Sequence, residues 1–227
     1  MLETRKLFDD LYALEDARVR QFLVLGEGEA LLFDTGFTDS GVLEAVRMLT
    51  DAPVQVVMTH ADLDHAGGLA DFGACRLNKG DWPLVTADVT LAPLDEGDTV
   101  RCGGYCFEVI EIPGHTAGSV AFYDAAKKLL IAGDSVQAGG PIYMFGAHRD
   151  LDRYIASLEK LATRIPADAT VLACHSACPI DASFIARDLA DARALRDGKL
   201  ASEAHPALPC RLYHGEAVDF LYDGGER

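Results

Sequence analysis

The chain has 227 residues, 49% of them hydrophobic and 25% charged, an ordinary globular composition with enough apolar mass for one large domain. Acidic residues outnumber basic ones 36 to 20, a formal charge of −16, and the sequence holds no basic patch. Such a chain repels phosphate backbones and anionic lipid, so neither nucleic acid nor a membrane surface is an expected partner.

The opening stretch "MLETRKLFDDLYALEDARVR" mixes both signs of charge and lacks an apolar signal core, and no uncharged apolar run is long enough to span a bilayer. A cytoplasmic protein is expected. Strand patterns then run over Val19–Leu25 and Ala30–Asp34, joined by "GEGE" as a hairpin. Ser40 is placed to cap a helix that carries Val42, Leu43, Val46 and Leu49 at helical spacing. A strand over Val54–Met58 ends in "THADLDHAGG", and a helix is expected from about Gly67. Short strands follow at Cys75–Leu77, Thr99–Cys102, Tyr105–Ile112, Ser119–Tyr123 and Lys128–Ala132. Cys102 and Cys106 flank a Gly-Gly turn, which puts them on opposite faces of a ribbon, and six cysteines in this length make no disulfide framework. Asp150 is the expected cap of an amphipathic helix over Leu151–Ile165; a strand at Val171–Ala173 and a helix over Asp181–Arg196 come next. Arg196–Pro209 reads as a connecting loop and "CRLYHGEAVDFLYD" as a closing hairpin, so residues 198–227 form an extension of a single domain, 1–227. Strands alternating with helices predict a layered α/β fold.

Chemistry concentrates where these strands end. His60, Asp62, Asp64 and His65 crowd one turn; His115 follows a strand in "IPGHTAGS"; Asp134 follows one in "LLIAGDSV"; His175 follows one in "TVLACHSACP". Each alone has an ordinary structural explanation, as an acidic capping turn or a satisfied histidine. Four strand ends in succession, each delivering an imidazole or a carboxylate, point instead to one cleft and a metal such as zinc, iron or manganese.

In this setting "THADLDHAGG" resembles the metal-binding signature of the metallo-β-lactamase superfamily, usually T-H-x-H-x-D-H. "PGHTAGS", "IAGDS" and "CHSACP" match its later motifs in order, with 50, 19 and 41 residues between His65, His115, Asp134 and His175. "LLFDTGF", with Asp34, matches a further landmark. The resemblance implies a four-layer αββα sandwich with two divalent metal ions along one edge. His60, Asp62 and His115 would hold the first, Asp64, His65 and His175 the second, with Asp134 bridging; Asp34 would support the site or merely form a turn. It also implies a hydrolase that sets a metal-held hydroxide on an ester, thioester, lactone or similar bond of a small molecule, with Asp64 or Asp62 as proton acceptor.

Two departures stand out. Asp62 occupies the place of the usual second histidine, so three carboxylates face two divalent ions and a hydroxide, leaving the centre neutral where three histidines would leave it positive. Harder ions such as iron or manganese tolerate that better than zinc, which keeps an iron redox protein on the same scaffold as the alternative function. Cys174 adjoins His175, but neighbours on a strand point to opposite faces, so packing is its expected role. Gly67 and Gly68 would either let backbone approach the metal or allow tight packing. In "SVQAGGPIYMFGAHRD", Tyr143, Met144 and His148 are candidate substrate contacts; Arg149 would reach an anionic group or lie in solvent, and Phe145 would fill core. A homodimer is left open.

Overall fold

The computed structural model describes residues 2–224. The first sheet takes seven strands in chain order: β1 (Glu3–Phe8), β2 (Leu11–Glu15), β3 (Arg20–Leu25), β4 (Ala30–Phe33), β5 (Val54–Val57), β6 (Ala74–Leu77) and β7 (Thr90–Pro93). The first three pairings are antiparallel and the last three parallel. The second sheet is built from β8 (Thr99–Cys102), β9 (Tyr105–Glu111), β10 (Val120–Asp124) and β11 (Leu129–Ile131). After β12 (Pro141–Met144), which leaves for a third sheet, β13 (Thr170–Leu172) and β14 (Ile180–Asp181) complete it. Strands β15 (Ala201–Ala204), β16 (Arg211–His214) and β17 (Asp219–Tyr222) join β12 in the third sheet, β12 lying parallel to β17.

The period-2 alternation of the strands sorts their apolar residues into three layers. Phe22, Val24, Leu31 and Phe33 face Phe107, Val109, Phe122 and Ile131 of the second sheet. Phe33 meets Phe107 and Phe122 edge-on at centroid distances of 5.0 and 4.9 Å, a favoured aromatic geometry that locks the sheets together. The alternate residues Leu23, Leu32 and Val56 pack under α1 (Val42–Leu49) through Val42, Ala45 and Val46. On the far side, Ile110, Ala121 and Leu130 pack against α3 (Leu151–Arg164) and α4 (Ser183–Arg196) through Tyr154, Leu158, Ile185 and Leu189; α2 is the short Leu63–Ala66 turn. Helix, sheet, sheet, helix is the αββα sandwich.

Several local expectations change. The charged N-terminus is a β-hairpin, β1–β2, whose outer strand is largely exposed and so carries no apolar alternation to read. Ser40 does not cap α1; Gly41, at φ +73°, sits there, while Ser40 Oγ accepts from Phe37 N and donates to Asp16. The helix expected from Gly67 is instead α2 followed by a single turn at Leu69–Asp71. Gly67 and Gly68 are wedged against the 35–38 backbone, where a Cβ on Gly68 would lie 2.4 Å from Thr35 O, so their role is close packing. Part of the Arg196–Pro209 loop is β15, and the expected hairpin is the inner part of a three-strand meander. Asp150 caps α3 as expected, accepting from Arg153 N at 3.0 Å. All six cysteines are free, and Gly103-Gly104 is the two-residue turn between β8 and β9. No described helix is long and apolar enough to cross a membrane.

Gly114 fixes where the sandwich meets its helices. Its φ of +140° is open essentially to glycine alone, and a Cβ there would lie 2.2 Å from Tyr154 N. Gly114→Ala should therefore destabilise the fold by about 3 kcal/mol or more, read as a lower denaturant midpoint. A midpoint within error of wild type would refute that close approach.

Candidate metal centre

The chemistry-bearing loops leave the ends of β5, β9, β11 and β13 and converge on one edge of the sandwich. Backbone bonds across that edge fix the loops: Val120 N donates to Thr59 O at 2.8 Å and Arg20 N to Cys174 O at 2.9 Å.

The result is two sets of donor atoms sharing one carboxylate. In the first, His60 Nε2 lies 3.5 Å from Asp62 Oδ2 and 4.0 Å from Asp134 Oδ2, and His115 Nε2 lies 3.1 and 3.5 Å from the same oxygens. In the second, His65 Nε2 lies 3.6 Å from Asp64 Oδ2 and 3.0 Å from Asp134 Oδ1, while His175 Nε2 lies 3.3 and 3.2 Å from them. Donors held tetrahedrally about 2.0–2.2 Å from one ion are separated from each other by about 3.3–3.6 Å. Both sets scatter around that spacing. Asp134 turns Oδ2 to the first set and Oδ1 to the second, the disposition of a bridging ligand.

The nitrogens are also held with their lone pairs free. His65 Nδ1 is held 2.8 Å from Asp34 Oδ2, His175 Nδ1 2.8 Å from Arg18 O, and His60 Nδ1 3.0 Å from Thr59 Oγ1. Carbonyl and carboxylate oxygens only accept, so His65 and His175 carry their proton on Nδ1; Thr59 Oγ1 already donates to Asp34 Oδ2, which sets the same tautomer in His60. In the neutral ring, the form that ligates metal, each Nε2 is then an acceptor. His60 Nε2, His65 Nε2 and Asp134 Oδ1 are buried and have no hydrogen-bond partner among the described residues. Buried polar atoms are seldom left so. A cation answers that chemistry, and the residues fit one in each set.

Charge within the centre is balanced by proximity. Burial opposes ionisation of Asp134, but His175 and His65 outweigh it and hold the carboxyl well below the carboxylate range. Asp62 is lowered against its own burial by His115 and His60, and Asp64 against its own by His65 and His175. Conversely, burial would depress His175, yet Asp134 and Asp64 push it up to about 10; His65 is raised well above its usual value by Asp134, Asp64 and Asp34. In the metal-free protein a raised histidine binds its proton more tightly folded than unfolded. Its stabilisation is complete below about pH 6.5 and is lost as pH rises through about 10. The depressed carboxylates act the other way, adding stability above their ordinary pKa near 3.8 that is lost on acidification. Metal-free protein should thus melt highest between about pH 4 and 6.5. Saturating zinc or manganese should flatten the alkaline fall, measured as melting temperature against pH; an identical profile with and without metal would contradict this.

The residues anticipated from the sequence separate into two groups. His60, Asp62, Asp64, His65, His115, Asp134 and His175 all meet here, and Asp34, left-handed at φ +64°, supports them through His65 and through both the N–H and hydroxyl of Thr59. Tyr143, 44% exposed, lines the adjoining cleft of about 640 Å³ with Arg18, Phe37, Asp64 and Ser176. Met144 does not: it is 1% exposed, its side chain in the core beside α3. The reason is strand alternation, since β12 turns Tyr143 and Met144 to opposite faces. His148 is exposed on the following turn and is not among the cleft-lining residues. Cys174 is buried between the sheets, and burial with Asp34 and Asp134 nearby pushes its thiol well up, so it stays protonated.

Asp81 is a residue of the site that the sequence does not announce, and Arg149, expected to reach an anionic group or lie in solvent, finds its anion inside the site. Asp81 is fully buried, accepting from Ala61 N, Thr116 Oγ1 and Gly118 N at 3.0, 2.6 and 2.7 Å; it ties the His60 loop to the His115 loop. Nothing in "NKGDW" announces this. Arg149, which borders a separate cleft with Gly146, Asp152 and Tyr222, turns its guanidinium inward, donating to Asp62 Oδ2 at 2.5 Å and to His115 O.

The model of the metallo-β-lactamase superfamily matches residues 17–74 and 76–175. The chain belongs to that superfamily. It is a metallo-hydrolase by membership, and its clustered histidines and aspartates are suited to divalent metal. Among similar proteins, a hydroxyacylglutathione hydrolase of Cereibacter sphaeroides is 31% identical over 181 residues, 76% of this chain and 69% of its own length. One from Aeromonas hydrophila is 28% identical over 211 residues, 84% and 76%. A metallo-beta-lactamase from Pontibacter korlensis superposes with a TM-score of 0.72 at 23% identity, covering 85% of this chain and 99% of that one. A protein solved in a di-iron-bound form superposes at 0.64 with 25% identity, covering 78% and 96%. The αββα fold is thus the superfamily's own.

Proposed function

We propose that this superfamily member hydrolyses an acyl thioester or a related ester or lactone of a small molecule. The carrying observation is the shared carboxylate of Asp134 between two imidazole–carboxylate sets, each with free Nε2 atoms. His60, Asp62, His115 and Asp134 would hold one ion and Asp64, His65, His175 and Asp134 the other. Bound there, divalent ions would polarise a carbonyl and make hydroxide available near neutral pH. The chain's own groups do the rest. Asp64, ionised at neutral pH because its carboxyl is lowered, lines the cleft as a proton acceptor; Asp62 is less available, its Oδ2 being taken by Arg149. Phe37 and Tyr143 offer apolar surface to an acyl group, with Gln137 and Ser176 beside them for polar contacts. The similar hydroxyacylglutathione hydrolases favour the thioester.

An iron redox protein draws only on Asp62 and on the di-iron neighbour. A panel of S-acyl thioesters, esters, lactones and phosphodiesters, assayed with zinc, manganese and ferrous iron, decides between them. Thioester or ester turnover that disappears in a His60→Ala/His115→Ala variant is expected. Activity unchanged in that variant, or dioxygen consumption with no hydrolysis, would overturn the reading.

A further inference from the structure

Asp62 Oδ2 is approached from three sides. His115 Nε2 and His60 Nε2 lie 3.1 and 3.5 Å away on the metal side, and Arg149 donates from the other at 2.5 Å. Arg149 is not a wandering surface cation. Its second nitrogen is bonded to His115 O, its side chain is only 12% exposed, and its backbone N–H is turned back onto Gly146 O. The next residue, Asp150, donates its N–H to Gly114 O at 2.8 Å and caps α3. The guanidinium is therefore clamped to two of the residues of the first donor set. Among the described residues no cationic side chain bonds to the second set, whose outward contacts are Asp34 and a backbone carbonyl, both electron-rich.

We propose that Arg149 is a built-in counter-cation that makes the centre asymmetric, so that the Asp64–His65–His175 set retains its ion while the His60–Asp62–His115 set binds a second one weakly and exchangeably. A guanidinium does not lose its proton at any relevant pH, so its charge stays permanently beside the oxygen a second cation must use. Repulsion between fixed charges a few ångströms apart in a partly buried site is large on the scale of metal affinities. It also draws on the negative charge of Asp62, which an additional ion would otherwise have to itself. The inference rests on the two-subsite reading proposed above, and it adds a regulatory consequence: occupancy of the first subsite would follow the concentration of free metal.

The test is a titration of the chelator-stripped full chain with zinc alone, by calorimetry, with bound metal counted after dialysis. Wild type should retain one ion per chain and bind a second at least about 100-fold more weakly. Arg149→Met should narrow that gap about tenfold or more, whereas Arg149→Lys, which keeps the charge, should largely preserve it. His115→Ala should lose only the weak ion, and His175→Ala should remove the tight one. Two ions of equal affinity in wild type would overturn the proposal even if no variant folded. So would an unchanged gap in Arg149→Met, or loss of its second ion. A wild-type chain that binds no ion at all would sink the hydrolase reading along with it.

Discussion

Asp134→Ala is expected to abolish hydrolysis, with a loss of at least about 1,000-fold in kcat/KM, and to release both ions rather than one. Among the described residues no other carboxylate presents an oxygen to each set, and its oxygens lie 3.0–3.5 Å from His65, His175 and His115. The substitution carries a second signature that mere unfolding would not produce. Asp134 is the foremost charge raising both His175 and His65, so without it their folded values fall back toward the ordinary histidine range. The metal-free variant should therefore show less loss of stability between about pH 6.5 and 10 than the wild type. Melting curves against pH, run beside metal counting, check both parts.

Asp81→Ala should produce the largest loss of stability among substitutions away from the donor atoms. Truncation strands three buried donors at once, Ala61 N, Thr116 Oγ1 and Gly118 N. Removing one partner from a buried charged network costs about 3–5 kcal/mol. In a domain of this size that lowers the melting temperature by roughly 10 °C. Because those donors belong to the loops carrying His60 and His115, metal affinity should fall too, and mainly in the first donor set. Asp81→Asn keeps the volume and acceptor capacity on one atom, so it should retain part of both. A melting temperature unchanged in the alanine variant would show that the loops hold themselves.

The sequence is legible where one short stretch carries its own chemistry. The β-branched strand into "THADLDHAGG", the imidazole after "PG" and the carboxylate after "LLIAG" can be placed because the strand ends and the donors are neighbours in the chain. The continuous apolar runs of β3 and β4 likewise announce strands buried on both faces, though not which residues face the second sheet. What stayed hidden depends on residues far apart. Arg149 lies 87 positions from Asp62, and an arginine in a Gly-rich loop gives no sign of facing inward. Asp81 reaches 35 and 37 positions to Thr116 and Gly118, and its burial is decided by packing alone. The edge strands β1 and β15 lack a buried face, so their sequences carry no period. Met144 lies in the core for a simpler reason: β12 is a strand, not an open loop, and pairing with β17 turns alternate side chains inward.

Anomalous X-ray scattering from crystals grown with zinc locates ions at this edge of the sandwich independently of activity. A strong peak is expected about 2.0–2.2 Å from His65 Nε2, His175 Nε2 and Asp134 Oδ1, with a weaker one among His60, His115 and Asp134 Oδ2 that grows with zinc concentration. An edge of the sandwich with no anomalous peak at any zinc concentration would contradict a metal centre there.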